Sequence, residues 1–531
     1  MSPRFSIVTP VHDPNSVSFD ACARSVIEQT HSDWEWILVD DGSTDQEIKN
    51  RLKVLASSHE SIKVVTRSSN GGIVAASNDG LANATGEFVV LLDHDDQLSI
   101  EALWEINQVI DQHPLVDYIY SDEDKVDADG VHFDHFSKPS WSPERLRGQN
   151  YCSHISVLRL ALVQEVGGFR VGFEGSQDYD LILRVTERAR AIAHIPKILY
   201  HWRADSGSTA LDPDAKPYAL DSAKRAVQEH LDRVGIRGTV ECTPERYLRT
   251  RRELSDLPRV SIVIPTCGSR KRIWGRDMFL VETAVASIIE RSTYSNFEII
   301  IVHDQPSTPV CVLENLARIG GDKITLIPYE KPFDFADKCN LGVLHCDGDV
   351  IILLNDDTQI HTPDWIEGLI SFFDESDVGM VGPLLLLEDG RIQSAGHFYN
   401  GGAHNAAFAH SANENGPFAV LTMPAERSGL TMACVAIPRR VFFEVGGVSL
   451  EFPRAFNDVD FGNKLDSLGY RMIWTPHVQI HHFESASRDP RVDVNEVTAL
   501  WDRWGRVVLR RDKYLPSFDF AIHGLPLFDR P

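Results

Sequence analysis

The sequence lacks the marks of several common protein classes. Its apolar runs, such as Phe88–Leu92 and Val350–Leu354, are about five residues long, whereas a membrane-spanning helix needs about 20. The first residues show no basic segment followed by a long apolar stretch, so no secretory signal is expected. The 8 cysteines form no CxxC pair and match no zinc-binding spacing, which favours reduced thiols. These absences predict a protein that works in the cytoplasm.

Glycine-rich phosphate loops are also absent. No two of the 35 glycines are separated by a single residue, and no glycine precedes a lysine, so the dinucleotide fingerprint and the P-loop are both missing. Asp and Glu total 77 against 52 Lys and Arg, which gives a net charge of −25. Such a surface repels nucleic acid, so no nucleic-acid partner is expected. Carboxylates can meet a small diphosphate ligand only with a divalent cation between them.

The two halves of the chain repeat each other. The segment 5–10 recurs at 260–265, and the segment 86–95 recurs at 348–357, at offsets of 255 and 262 residues. Offsets of this length indicate a duplicated domain rather than a solenoid of short repeats. The polar, proline-flanked stretch 241–258 is the expected joint. The predicted organisation has three parts: a first domain over 1–245, a second over 256–490, and a tail over 491–531 that packs on the second domain.

Each half alternates short β-branched runs with helical stretches. In the first half we predict strands at 5–9, 35–39, 62–66 and 87–92, and helices near 18–29, 44–57 and 71–84. This alternation predicts an α/β fold with a mainly parallel sheet, which binds ligands beyond the carboxyl ends of its strands. Asp93 and Asp95 directly follow a strand, where both carboxylates can reach one hard cation. An isolated pair of this kind also fits an acidic turn or a helix cap.

Several ordered motifs resemble one known family. The segments Val39–Asp45, Asn70–Gly72, Leu92–Asp96 and Glu174–Leu181 resemble those of family-2 glycosyltransferases with the GT-A fold. In the second half, the segments 332–342, 354–358, 457–461 and 481–485 resemble bacterial rhamnosyltransferase-like enzymes of O-antigen and capsule assembly. The resemblance implies two tandem GT-A domains with Rossmann-like sheets. It also implies an inverting, metal-dependent glycosyltransferase of the hexosyltransferase type.

The resemblance further implies roles for individual residues. It assigns the nucleotide-diphosphate sugar to strand ends and nearby loops, at Thr9, Asp40, Asp41, Asn70, Asn78, Asp93, Thr266, Asp304, Asn340 and Asn355. It assigns a divalent cation, Mn²⁺ or Mg²⁺, to Asp93, Asp95, His201, Asp357 and His482. It assigns the general base to Asp178 and Asp458. One aspartate of each pair, Asp178 with Asp180 or Asp458 with Asp460, is expected to stabilise the start of the following helix instead.

The two histidines are placed by counting residues. Asp178 to His201 spans 23 residues and Asp458 to His482 spans 24, so these histidines are expected at equivalent places after a strand. A structural histidine at either place is the alternative. The expected partners are a UDP- or dTDP-sugar donor and a glycan or lipid-linked glycan acceptor. A lipid-linked acceptor would bring the protein to the inner face of the membrane as a peripheral protein.

The second half departs from the first at its acidic sites. Asn355 replaces Asp93, and the segment 303–305 carries a single aspartate where 40–41 carries two. We therefore expect two catalytic domains that differ in donor, acceptor or linkage and build a bacterial surface polysaccharide, with rhamnose as one donor. The alternative is one active domain beside a carbohydrate-binding or scaffold domain. A nucleotidyltransferase is disfavoured because residues 11–15 contain no glycine, lysine or arginine.

Overall fold

The computed structural model describes residues 2–204, 217–483 and 492–515. Contacts divide the chain into two compact units, one formed by Met1–Trp141 with Leu146–Arg251 and the other by Ser142–Arg145 with Arg252–Pro531. The domain limits at 245, 256 and 490 stay a prediction from the sequence.

In the first unit, β-branched and aromatic runs form the strands and amphipathic stretches form the helices. The strands are β1 (Phe5–Val11), β2 (Trp34–Asp40), β3 (Ile62–Thr66), β4 (Phe88–Leu91), β5 (Gln97–Leu98), β6 (Tyr118–Val126), β7 (His132–Phe136), β8 (Ser156–Arg159) and β9 (Ile192–Arg203). The helices are α1 (Ser16–Ile27), α2 (Gln46–Ser58), α3 (Ile73–Asn83), α4 (Ala102–Gln112), α5 (Pro143–Gly148), α6 (Leu160–Glu165), α7 (Gln177–Thr186) and α8 (Pro217–Val234). The predicted strands and helices of the first 92 residues are all present, with ends that shift by a few residues.

The sheet of this unit has the order β3-β2-β1-β4-β8-β6-β9-β5, and β7 pairs with β6. Strands β1 to β4 pair in parallel, whereas β8 runs antiparallel to its neighbours β4 and β6. Buried apolar side chains such as Ile7, Trp36 and Phe88 form the core beneath this sheet. The α/β prediction is confirmed, and the carboxyl ends of β1, β2 and β4 meet at one edge.

The second unit repeats this plan. Its strands are β12 (Val260–Thr266), β13 (Arg270–Ile273), β14 (Arg276–Phe279), β15 (Phe297–Asp304), β16 (Ile324–Tyr329), β17 (Val350–Leu354), β18 (Thr358–Ile360), β19 (Val378–Leu386), β20 (Ile392–Ser394), β21 (His397–Tyr399), β22 (Ala403–Asn405), β23 (Ala425–Glu426), β24 (Cys434–Pro438) and β25 (Arg471–His482). The helices are α9 (Leu280–Arg291), α10 (Val310–Gly320), α11 (Phe335–Leu344), α12 (Trp365–Ile370), α13 (Arg439–Glu444), α14 (Asn457–Ser467) and α15 (Val494–Val508). The main sheet has the order β16-β15-β12-β17-β24-β19-β25-β18.

The same close helix–sheet approach occurs in both units. A Cβ atom added to Gly80 of α3 would lie 2.4 Å from Cγ1 of Val8, and one added to Gly342 of α11 would lie 2.4 Å from Cγ1 of Val263. Only glycine lets these helices lie so close to the first strand of each sheet. The two units therefore share this contact between a helix and the first strand, as well as the repeated sequence segments.

Two segments lie at the predicted domain limits. Within the polar stretch 241–258, the predicted joint, Leu248–Arg252 form a strand, β11, that pairs with β10 (Gly238–Cys242). In the predicted tail, α15 packs apolar side chains such as Leu500 and Val508 against Phe452 and Val459. Residues 516–531 lie outside the described part of the chain.

Candidate active site

The carboxyl ends of β1 and β2 carry three of the predicted nucleotide-binding residues. The Thr9 hydroxyl accepts a hydrogen bond of 2.9 Å from Nε1 of Trp36, so it is held inside the sheet. Asp40 accepts from the backbone N–H of Ser43 at 2.9 Å. The Asp41 carboxylate accepts from the N–H groups of Gly71 and Gly72, both at 2.8 Å. These contacts fix the loops that follow β2 and β3 around a shared acidic edge.

The predicted asparagines hold loops. Asn70 accepts from the N–H of Gly72 at 2.9 Å. The Asn78 side chain donates to the carbonyl of Phe169 and accepts from its N–H, both at 2.9 Å. Asn340 forms the same pair of bonds with Val448, at 2.8 and 2.9 Å. A structural role accounts for these last two amides, because both ends of each are occupied by backbone groups.

The three aspartates of the loop after β4 differ in burial. Asp96 is buried, where it accepts hydrogen bonds from the Tyr200 hydroxyl and from the N–H of Arg203. Burial raises the pKa of Asp96 well above its usual value, and the charge of Asp95 raises it further. Asp93 is instead exposed, and Asp95 is half-buried. Asp96 therefore anchors the loop to β9, while the two predicted cation ligands face outward.

The predicted base lies within electrostatic reach of this loop. Although the Asp93 side chain is open on one side, the protein atoms around it partly desolvate its carboxylate and so raise its pKa; His154 opposes the rise, and the charges of Asp95 and Asp178 add to it. Asp178 is half-buried, and its Oδ2 atom accepts from Nδ2 of Asn150 at 2.9 Å. The structure thus brings Asp93, Asp95 and Asp178 into one acidic site.

The second aspartate of the Asp178 pair is tied up in the core. Asp180 is fully buried, and it accepts from Nε and Nη2 of Arg184 at 3.0 and 2.7 Å and from Nε of Arg170 at 3.0 Å. In the second unit Asp460 is also fully buried and accepts from Nε1 of Trp504 at 2.8 Å. The second aspartate of each pair is structural, which leaves the first available for chemistry.

His201 belongs to a different cluster. Its Nδ1 atom lies 2.6 Å from Oδ1 of Asp124, and Nδ1 of His132 lies 3.0 Å from Oδ2 of the same carboxylate. The two imidazole rings have centroids 4.5 Å apart. One carboxylate and two imidazoles at this separation are a set that can hold a divalent cation. Among the described residues, no hydrogen bond or ion pair links His201 to Asp93 or Asp95.

In the second unit, three predicted residues come together at the end of β17. Nε2 of His482 lies 3.2 Å from Oδ1 of Asp357 and 3.4 Å from Nδ2 of Asn355. Burial alone would raise the pKa of Asp357, but the neighbouring His482 holds it below its usual value. The Oδ1 atom of Asn355 is buried and has no hydrogen-bond partner among the described residues. An amide oxygen, a carboxylate and an imidazole with such an unsatisfied oxygen fit a divalent cation.

The sheet register corrects the predicted equivalence of His201 and His482. In the first unit Gln97 pairs with His201. In the second unit Gln359, the counterpart of Gln97, pairs with His481 rather than with His482. Because successive side chains of a strand point to opposite faces, this slip of one residue places His201 and His482 on opposite faces of the sheet.

Trp202 takes the place of His482 in the first unit. Its ring centroid lies 5.4 Å from that of His154, which in turn stacks on Tyr200 at 4.6 Å. His154 was not predicted, and its effect on the pKa of Asp93 is larger than that of His94, the other histidine that acts on this carboxyl. A scan for histidines near the strand ends could not find it, because it lies on the loop before β8, far away in sequence.

Two further residues of the second unit were missed. Lys338 is fully buried, and its Nζ donates to Oδ1 of Asp304 and to the carbonyl of Thr266, both at 2.7 Å. Nε2 of the buried His397 lies 3.8 Å from Oδ2 of Asp458, the predicted base. Burial lowers the pKa of His397, and the charge of Asp458 opposes this. In the second unit, two predicted acidic residues therefore have a basic neighbour: Lys338 beside Asp304 and His397 beside Asp458.

Another predicted nucleotide-binding residue, Thr266, lies beside an unusual acid. Its hydroxyl donates to Oδ2 of Asp356 at 2.6 Å. Burial, reinforced by the charge of Asp357, raises the pKa of Asp356 to about 7. Residues 484–485, which close one of the second-half motifs, lie outside the described residues.

These features define the class of protein. Each unit is a mixed α/β domain of the GT-A type, with aspartates or asparagine at the carboxyl ends of its parallel strands. The chain belongs to Glycosyl transferase family 2, whose model matches residues 6–160 and 261–422. Both halves of the repeat therefore carry the family domain. Within the described residues, no helix is long and apolar enough to cross a membrane.

Two curated relatives and one solved structure are similar to parts of the chain. It is 39% identical over 530 residues to the uncharacterized protein y4gI of Sinorhizobium fredii, covering 98% of this chain and 57% of that protein. It is 33% identical over 489 residues to the O-antigen biosynthesis protein RfbC of Myxococcus xanthus, covering 92% and 38%. The chain thus spans about half the length or less of these relatives. The crystal structure of S. aureus TarS superposes with a TM-score of 0.35 and 22% identity, covering 44% of this chain and 40% of TarS.

Proposed function

We propose that the chain is an inverting glycosyltransferase with two catalytic units. It transfers sugars from UDP- or dTDP-sugars to a growing bacterial surface polysaccharide, with rhamnose as one donor to test. The similarity to an O-antigen biosynthesis protein supports this class of product. A lipid-linked glycan acceptor at the inner face of the membrane, with peripheral association of the protein, is part of the proposal.

The observation that carries this function is the acidic site of the first unit. The charge of Asp178 acts on Asp93, so the predicted base shares a site with the strand-end aspartates. Asp178 and Asp458 are each half-buried at the start of a helix, beside a second aspartate that is fully buried. A carboxylate held in this way can take a proton from an acceptor hydroxyl as the hydroxyl attacks the sugar.

The residues of each unit divide the work between binding and proton transfer. We assign the donor to Asp41, Asp93 and their neighbours in the first unit, and to Asp304 and Asn355 in the second. A divalent cation, when bound, would neutralise the diphosphate and stabilise the charge that develops on the leaving group. We assign it to Asp93 and Asp95 in the first unit.

The second unit has its own proposed cation ligands, Asn355, Asp357 and His482. His201 stays a proposed ligand of the first unit, but together with Asp124 and His132. A unit without transfer activity, serving to bind carbohydrate, is the alternative for either half, and point variants separate these cases.

The test uses the full chain with point variants. UDP-, dTDP- and GDP-sugars, including dTDP-rhamnose, are titrated with and without Mn²⁺, and both donor hydrolysis and transfer are followed. We expect Asp178→Asn and Asp458→Asn each to remove one transfer, and the double variant to remove both. Asp129→Asn, which changes an exposed carboxylate of the first unit, is the matched control. Unchanged transfer in both single variants would overturn the base assignment, and absence of donor binding would overturn the function.

A further inference from the structure

The second unit carries a hairpin that the first unit lacks. Phe5 at the start of β1 pairs with Trp34, 29 residues on, whereas Val260 at the start of β12 pairs with Phe297, 37 residues on. The additional residues form β13 and β14, which pair from Arg270 with Phe279 to Ile273 with Arg276. The hairpin follows the carboxyl end of β12, which is the ligand-binding edge of the sheet.

The tip of this hairpin carries a tryptophan in a backbone conformation that large side chains rarely adopt. Only Trp274 and Gly275 separate the two strands, and both have positive φ, 45° and 77°. A two-residue turn of this kind strongly favours asparagine, aspartate or glycine at its first position. A tryptophan there is a backbone outlier, and such outliers concentrate where a side chain serves a ligand.

The indole is fixed, yet nearly half of its surface is open. The Trp274 N–H donates to Oε1 of Glu388 at 2.7 Å, and the indole Nε1 donates to the Glu388 carbonyl at 2.9 Å. The ring packs edge-on against His481 and Phe483, with centroids 5.5 and 5.1 Å away. The residue remains 48% exposed. A ring with a fixed orientation and an open face is a preformed stacking surface.

This ring lines a cavity of about 520 Å³ next to the proposed cation ligands. Its lining is formed by Trp274, Leu387, Glu388, Asp389, His482 and Phe483. The volume falls in the range of small-molecule sites, which are roughly 300–1,000 Å³. Aromatic rings offer a face for the C–H groups of a sugar, and the carboxylates offer acceptors for its hydroxyls. The Glu388 carboxylate would repel a carboxylate or phosphate on the ligand, whereas the charge of Asp389 is offset by Arg391, whose Nε lies 2.7 Å from Oδ2 of Asp389.

We propose that this cavity binds a neutral hexose ring of the glycan acceptor, stacked on Trp274. The inference deepens the proposed function, on which it rests, by naming the acceptor chemistry of the second unit. The hairpin supplies a contact that the first unit cannot make, since its chain runs from β1 to α1 without one. The two units would then add their sugars to different acceptor ends.

The test is saturation-transfer-difference NMR on the full chain. The probes are methyl α-L-rhamnopyranoside, methyl β-D-glucopyranoside and methyl 2-acetamido-2-deoxy-β-D-glucopyranoside, with methyl β-D-glucuronide as the anionic comparison. We expect saturation of ring C–H protons in at least one neutral hexoside. Trp274→Ala should reduce that signal at least fivefold, and Trp274→Phe should keep at least half of it.

A turn-preserving variant separates binding from structure. Asparagine is favoured at the position of Trp274, so Trp274→Asn should melt no lower than the parent protein while losing the hexoside signal. Trp104→Ala, which removes a tryptophan that is 45% exposed in the first unit, is the control and should change nothing. The subsite would be overturned if no neutral hexoside gave a signal, if Trp274→Asn left the signal unchanged, or if only the glucuronide gave one. If the parent protein bound no UDP-sugar, the proposed function would be overturned instead.

Discussion

Nε2 of His482 lies 3.2 Å from Oδ1 of Asp357, the residue just before β18, which pairs with β25. In the first unit the equivalent place on β9 is taken by Trp202, whose ring centroid lies 5.4 Å from that of His154 in a tilted arrangement. The two units therefore present different side chains to the same strand end. If both bind a cation, they do so with different ligand sets and should respond differently to the loss of a histidine.

The first prediction concerns His482 and its neighbour His481. In an Asp178→Asn background, which isolates the second unit, His482→Ala should raise the Mn²⁺ concentration for half-maximal transfer at least about tenfold, because a ligand is removed. His481→Ala should shift it far less, since its side chain points to the opposite face. The measurement is transfer rate against Mn²⁺ concentration. Equal shifts in both variants would contradict the assignment.

The second prediction contrasts the two aspartates of α7. Asp180→Asn should lower the free energy of unfolding by about 3 kcal/mol, because it leaves the buried guanidinium group of Arg184 without its charge partner. Asp178→Asn should change this free energy by less than about 0.5 kcal/mol. It should nevertheless slow the transfer by the first unit about a thousandfold, through loss of the base. Urea unfolding and donor turnover measure the two effects, and a large stability loss in Asp178→Asn would argue for a structural role.

The third prediction concerns the cluster of Asp124, His132 and His201. If it holds a cation, Co²⁺ titration of the full chain should show one equivalent with d–d absorption that His132→Ala removes. His135→Ala is the matched control, because His135 is an exposed histidine on the same strand. Identical titrations for His132→Ala and the parent protein would show that the three side chains are joined by hydrogen bonds alone.

The fourth prediction is a pH effect on stability at His230 of α8. Burial lowers the pKa of His230, an effect that its contact with Glu187 only partly offsets. The folded state therefore favours the neutral ring, and this stabilisation is complete above the unfolded pKa of about 6.5 and is lost as the pH falls through the folded pKa. The thermal midpoint of the parent protein should thus fall more between pH 7.5 and 5.5 than that of His230→Gln. His113→Gln, an exposed histidine change, should retain the parental pH dependence.

The repeat and the alternation of strands were readable from the sequence because they rest on local patterns. Apolar runs such as Phe88–Leu92 form buried strands in any context that covers both faces. The strand-end aspartates follow from the same reasoning, because a parallel sheet brings the ends of distant strands to one edge. These parts of the site could be placed without coordinates.

The histidines show where sequence reasoning stops. Asp178 to His201 spans 23 residues, and so does Asp458 to His481. An exact count therefore makes His481, not His482, the equivalent of His201. An error of one residue matters in a strand, because it moves the side chain to the opposite face of the sheet. His154 and Trp274 were missed for another reason: each acts through contacts with residues far away in sequence, which no local pattern encodes.

The hairpin of the second unit also bears on how such enzymes diversify. It enters and leaves the fold between the first strand and first helix of its unit, so its insertion leaves the register of the main sheet unchanged. A segment with this property can be exchanged as a unit. Grafting it after β1 of the first unit would, on the proposal above, change which acceptor that unit binds while the main sheet keeps its structure.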